Sequence, residues 1–213
     1  MHIISTNTAK PTIFTYNGQE VTTGIYKMPT DSPIFLGKKG VKDDEVTDKK
    51  VHGGEFKACY LFSMEQYSYW KPLYPNLKWN WGMFGENLTI SGLDETQICI
   101  GDIYKVGETL IQITQPREPC FKFGAKFGDM GALKRFIDHG LSGTYVRILE
   151  EGLVKAGDIF ELKHRKENSL TTAKLFKLIF SKNKDPELIK RAINNDALPQ
   201  RKRDKLESFL KHV

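Results

Sequence analysis

The chain has 213 residues, 39% hydrophobic, 11% aromatic and 27% charged, a balance that supports one or two globular domains and excludes a disordered or fibrous protein. No run approaches the roughly 18 apolar residues of a membrane span, and residues 1–10 lack the basic-then-apolar order of a signal peptide, so a cytoplasmic protein is expected. The net charge of +6 is uneven: residues 1–162 carry 18 basic against 20 acidic side chains, and residues 163–213 carry 14 against 6. That step predicts one domain over 1–165 and a basic appendage over 166–213.

Residues 13–16 and 21–26 flank Asn17-Gly18, a pair that tolerates the positive φ of a tight turn, and predict a hairpin whose loop has two or more residues. Ser63 followed by Gln66 has the form of a capping box, and Met64, Tyr67 and Trp70 fall at helical spacing, predicting a helix over 64–71. Segments 97–100, 103–106, 109–115, 144–149 and 159–162 are rich in β-branched and aromatic residues and read as strands, broken by Gly101-Asp102, Gly107 and Gly157-Asp158. A second helix starts near Asp129, with Met130, Leu133, Phe136 and Ile137 on one face; core packing is the ordinary reading of such a stripe.

The last 45 or so residues switch to helical period. Ser169 can cap a helix carrying Leu170, Ala173, Phe176, Leu178 and Phe180, Asp185-Pro186 opens a second, and Leu206, Phe209 and Leu210 line a third. The expected fold class is therefore mainly β, a closed barrel or a sandwich with a few helices, followed by a three-helix domain.

Three cysteines, Cys59, Cys99 and Cys120, with no C-x-x-C pair argue against a disulfide framework or a structural zinc site. Cys59 and Cys99 sit in apolar runs and read as strand-core residues. Three other segments read as chemical. Lys49-Lys50-Val51-His52-Gly53-Gly54, with Lys57 beyond, suits a bound anion or a solvated glycine turn. Glu86 and Asn87, after Trp81-Gly82-Met83-Phe84-Gly85, can grip a polar heterocycle or cap a tight turn. Gln115-Pro116-Arg117-Glu118-Pro119-Cys120 follows a well-patterned strand; its prolines fix where Arg117 and Cys120 point, and Arg117 and Lys122 favour a thiolate at Cys120. A small apolar residue at a barrel rim is the bland alternative for Cys120. There is no P-loop, G-x-G-x-x-G or G-x-S-x-G.

Together these segments, with Phe84-Gly85-Glu86-Asn87-Leu88 and Gly101-Asp102, resemble the MOSC domain, the molybdenum cofactor sulfurase C-terminal domain family, and within it the stand-alone bacterial YiiM-type members, which carry a three-α domain after the barrel. The resemblance implies a closed β-barrel like the small barrel of pyruvate kinase, with a pocket for the molybdenum cofactor (molybdopterin). It makes Cys120 the molybdenum ligand and catalytic residue. Arg117 and Lys57 become contacts to cofactor phosphate or pterin, and His52, Gly53 and Gly54 the anion-side wall. Glu86, Asn87 and Asp102 become pterin contacts or loop organisers, Asp102 being equally readable as a turn residue.

The implied activity is reduction of N-hydroxylated bases such as 6-hydroxylaminopurine. No ferredoxin-like cysteine cluster or flavin fingerprint is present, so electrons are expected from a separate donor protein. The alternative is a non-catalytic module carrying cofactor or sulfur. A nucleic-acid partner for Arg201-Lys202-Arg203 and Lys205 is disfavoured, because no aromatic platform is interleaved with those charges; those helices would instead cover the barrel or mediate self-association into a homodimer.

Overall fold

The computed structural model describes residues 1–47 and 53–212. Its strands, in chain order, are β1 (His2–Thr8), β2 (Thr12–Tyr16), β3 (Gln19–Thr23), β4 (Met28–Thr30), β5 (Ile34–Gly37), β6 (Gly40–Val41), β7 (Cys59–Ser63), β8 (Leu88–Ser91), β9 (Ile103–Val106), β10 (Thr109–Pro116), β11 (Thr144–Glu150), β12 (Gly152–Val154) and β13 (Glu161–His164). Eight of them form one curled sheet in the order β13-β9-β10-β11-β7-β8-β1-β4. β7 and β8 pair in parallel, and the sheet's other neighbours are antiparallel.

The sheet does not close into the barrel expected from the sequence. Its edge strands β13 and β4 are not paired among the described residues; near the start of β1 the bridge His2 to Ile159 joins the chain ahead of β13, with Ile3 N donating to Asp158 O at 2.9 Å, Gly157 N to Ile3 O at 2.8 Å and Phe160 N to Met1 O at 3.1 Å. The result is an open half-barrel. The expected strand at 159–162 starts later, at Glu161, because Ile159 is spent on that bridge.

The hairpin β2–β3 forms with a two-residue loop, Tyr16 facing Gln19, and Asn17 and Gly18 at φ 50° and 75° meet the left-handed requirement of the turn. Residues 97–100 are not a strand: Asp102 accepts from Cys99 N at 2.9 Å and holds them in a turn, from which Ile98 and Ile100 still reach the core. Cys99 is consequently half-buried in one bridge to Thr171 rather than inside a strand.

The helix expected over 64–71 is broken. A 3-10 turn (Met64–Gln66), α1 (Tyr67–Trp70) and another 3-10 turn (Lys71–Leu73) succeed one another, since Pro72 has no N–H with which to extend an α-helix. The capping box is absent as well; Ser63 donates to the Glu65 carboxylate at 2.6 Å, and Gln66 meets His139 at 2.7 Å. After β10 comes α2 (Phe121–Phe127), which the sequence reading did not anticipate, then α3 (Gly131–His139) where expected.

Three helices follow β13: α4 (Thr172–Phe180), α5 (Pro186–Ile193) and α6 (Gln200–Glu207). Thr171, not Ser169, caps α4 by accepting from Lys174 N, while the Ser169 hydroxyl donates to Ile100 O at 2.6 Å. Asp185 caps α5 as its sequence indicates, with Pro186 at the first helical position. Leu175, Leu178, Ile189 and Leu206 from these helices join Ile111, Ile113 and Val146 of the sheet in one apolar cluster, and α4 packs on β10. A second cluster is aromatic, built from Tyr60, Phe62, Tyr67, Trp70, Phe84, Phe123, Phe127, Phe136 and Phe176.

Candidate functional site

The end of β10 is buried up to Pro116, and the chain then turns through residues 117–120 into α2. Beside this turn lies a cleft that is open to solvent on one side. One wall is the pair Tyr60 and Tyr145, facing each other across β7 and β11 with ring centroids 5.1 Å apart. The cleft is also lined by Thr23 at the end of β3, by Gly24, Ile25 and Lys27 just after it, and by residues 45–47.

Arg117 is only 6% exposed. Its guanidinium carbon lies 4.9 Å from the ring centre of Phe123, 5.3 Å from Tyr60 and 5.4 Å from Phe136, and Nη1 has no hydrogen-bond partner among the described residues. Such contacts with ring faces are favourable but leave N–H groups unsatisfied. Cys120 lines the same cleft, half-buried, as the residue preceding α2; its thiol is free and caps no backbone N–H.

Lys57 also lines the cleft, its ammonium 5.5 Å from the centre of the Tyr145 ring. Gly54 puts it there: at φ 92° it starts the 3-10 turn Glu55–Lys57, closed by Lys57 N donating to Gly54 O at 2.9 Å. Gly53 and Gly54 themselves are not among the lining residues, and His52, with Lys49 and Lys50, lies outside the described residues.

Asn87 reaches the cleft but is committed to the scaffold, its Oδ1 accepting from Tyr60 N at 3.2 Å and its Nδ2 donating to Asp44 at 2.8 Å. Asp44 is also ion-paired with Lys27 and accepts from Ala9 N at 2.8 Å. Glu86 faces away from the cleft into its own loop: its carboxylate accepts from the Tyr67 hydroxyl at 2.5 Å, Gly82 N at 2.8 Å, the Thr89 hydroxyl at 2.8 Å and Phe84 N at 3.0 Å. Gly82 is glycine for this reason, because φ 83° turns its N–H to Glu86 and a Cβ would meet Lys27 O at 2.7 Å.

Asp102 is not in the cleft either. It accepts from Cys99 N and from Lys166 N at 3.1 Å and pairs with Arg165 Nε at 3.3 Å, binding the start of the helical segment to the sheet. Of the residues expected at the site, the fold therefore brings together Cys120, Arg117, Lys57 and Asn87.

Sequence reasoning missed Tyr60, Tyr145 and the stretch after β3, because strand register and loop return decide their positions. The hairpin is fastened beside Cys120 by Tyr16 against the Phe121 ring at 4.7 Å and by Lys122 donating to Thr22 O at 3.4 Å. Behind it Lys126 of α2 donates to Ile25 O and Gly82 O, both at 2.9 Å, and burial pushes its ammonium down to about 7. No helix among the described residues is long and apolar enough to cross a membrane.

Comparison with known proteins places these features in context. The family model described as MOSC domain matches residues 48–161. YflK of Bacillus subtilis (strain 168) is 34% identical over 93% of this chain and 89% of its own length, and YiiM of Escherichia coli (strain K12) is 35% identical over 66% and 64%. A protein named Reductase from Gibberella moniliformis is 38% identical over 70% of this chain, a match that takes in 27% of that protein. The crystal structure of YiiM from Geobacillus stearothermophilus superposes with a TM-score of 0.81 at 32% identity, covering 97% of both chains.

Proposed function

This chain belongs to the MOSC domain family, and from that premise we propose that it holds a molybdenum cofactor in the cleft through Cys120 and reduces N-hydroxylated bases of the 6-hydroxylaminopurine type to amines. The observation that carries the reading is Arg117. A buried N–H without an acceptor costs about 1–3 kcal/mol, and such a group in a native protein asks for a ligand. Arg117, whose Nη1 is the buried atom without a partner among the described residues, lines the same cleft as the free Cys120 thiol.

The lining suits a flat, anionic group ligated by sulfur. Cys120 supplies the soft donor that a molybdenum centre accepts. Arg117 and Lys57 supply positive charge for phosphate or pterin oxygens, and the Tyr60–Tyr145 wall offers a face for a planar ring. When bound, the cofactor supplies the two-electron chemistry that reduces the N–O bond. The electrons come from a separate donor protein. The relative named Reductase supports an oxidoreductase, and its name applies to a much longer protein.

The test is molybdenum content after anaerobic purification from a host that makes the cofactor, wild type beside Cys120→Ala. Near-stoichiometric metal is expected in the wild type and none in the variant, with reductase activity on 6-hydroxylaminopurine following the metal. Equal metal in both proteins, or none in either, refutes the assignment.

A further inference from the structure

The basic run of α6 reaches the cleft. Lys202 is ion-paired with Glu118, which lines the cleft two residues before Cys120; their side chains are 15% and 34% exposed. A carboxylate at that place would repel an anion approaching Cys120, and Lys202 neutralises it. Lys57, another cation of the cleft, feels the same pair: after burial itself, the charge of Lys202 lowers the pKa of its ammonium and that of Glu118 raises it.

We propose that Lys202 forms an outer subsite that recognises a phosphoryl group on the substrate, with Glu118 as the counter-ion which that group displaces. The working substrates are then phosphorylated purine derivatives in preference to free bases. A phosphate monoester carries close to two negative charges at neutral pH, and its hydrogen bonds to ammonium and guanidinium groups are of the strong, charge-assisted kind. The idea rests on the proposed function in taking this cleft as the working site, but its test needs no cofactor.

The experiment measures the rate at which Cys120 of the full chain is alkylated by iodoacetamide, located by peptide mass spectrometry, with adenosine 5′-monophosphate or adenosine added at constant ionic strength. The monophosphate is expected to slow Cys120 labelling and adenosine not to. Protection should weaken about threefold or more in Lys202→Gln, persist in Lys202→Arg, and strengthen in Glu118→Gln, where Lys202 is released. Equal protection in wild type and a folded Lys202→Gln overturns the proposal, as does adenosine protecting as well as its monophosphate. Should Lys202→Gln fail to fold, Glu118→Gln decides, and unchanged protection there overturns it. Protection of Cys120 by inorganic phosphate equal to that by the monophosphate assigns the subsite to any phosphoryl group, the cofactor's own included, and overturns it too. A protein that never takes up molybdenum yet shows the Lys202-dependent protection sustains this proposal while refuting the cofactor reading.

Discussion

Glu86 and Arg117 are both buried against the same aromatic cluster, yet their surroundings differ in kind. The Glu86 carboxylate accepts four hydrogen bonds, two from backbone N–H groups and two from hydroxyls, all within residues 67–89. Arg117 lies against ring faces, hydrogen-bonds the Tyr145 hydroxyl and keeps Nη1 without an acceptor among the described residues. The difference separates a charge that builds a loop from a charge with a donor left unspent: fully satisfied networks rigidify, and an unsatisfied buried donor is a cost the fold retains for some other reason. Glu95 is intermediate. It is buried and accepts from Gly143 N at 2.8 Å and Ser142 N at 2.9 Å, but burial still pushes its carboxyl up to about 7.

Three measurements would break or sharpen this contrast. Glu86→Ala has the largest expected effect: it strips acceptors from four buried donors and should destabilise the fold by more than about 3 kcal/mol in denaturant titration. A small loss would erase the distinction drawn here. Arg117→Met should instead leave stability within about 1 kcal/mol, because lost cation–π contacts of up to ~2 kcal/mol are offset by removing a buried unpartnered donor worth about 1–3 kcal/mol. The same variant should weaken cofactor retention by roughly 10- to 100-fold, as expected for a lost charge-assisted hydrogen bond. If stability collapses while retention is unchanged, Arg117 is structural.

The last effect, confined to the pH profile, concerns Glu95. Its folded pKa of about 7 lies above the ordinary 4.5, so the folded state holds the proton more tightly, and this contribution is full below about pH 4.5 and lost as pH rises through about 7. Glu95→Gln should flatten that part of the stability profile by about 3 kcal/mol, the equivalent of a rise from 4.5 to about 7 at ~1.4 kcal/mol per pH unit, while Gln keeps an acceptor for Ser142 and Gly143. Parallel profiles for the two proteins would place the charge-dependent stability elsewhere.

Much of the fold was legible locally. The Asn17-Gly18 hairpin, β9 to β11, α3 and the Asp185 cap of α5 rest on turn chemistry, side-chain alternation and capping, which act within a few residues. The errors arose where another partner, near or far in the chain, outbid the expected pattern. Ser63 and Gln66 turn to Glu65 and His139, Ser169 turns to Ile100, and residues 97–100 obey Asp102 rather than a ladder. The open edge of the sheet is likewise a matter of long-range pairing, which no strand records in its own composition.

At the site, the sequence by itself determined the chemistry that could be present: a cysteine and an arginine on a proline-stiffened turn, a glycine pair delivering Lys57, and a basic carboxy-terminal segment. Only the tertiary structure decided which of these meet. It left Glu86 and Asp102 to the scaffold, set Tyr60 beside Tyr145 by strand register, and carried Lys202 across 84 residues to Glu118. The physical reason is that residue type fixes what a side chain can bond to, whereas burial and register fix what is within reach, and those depend on contacts between segments far apart in the chain.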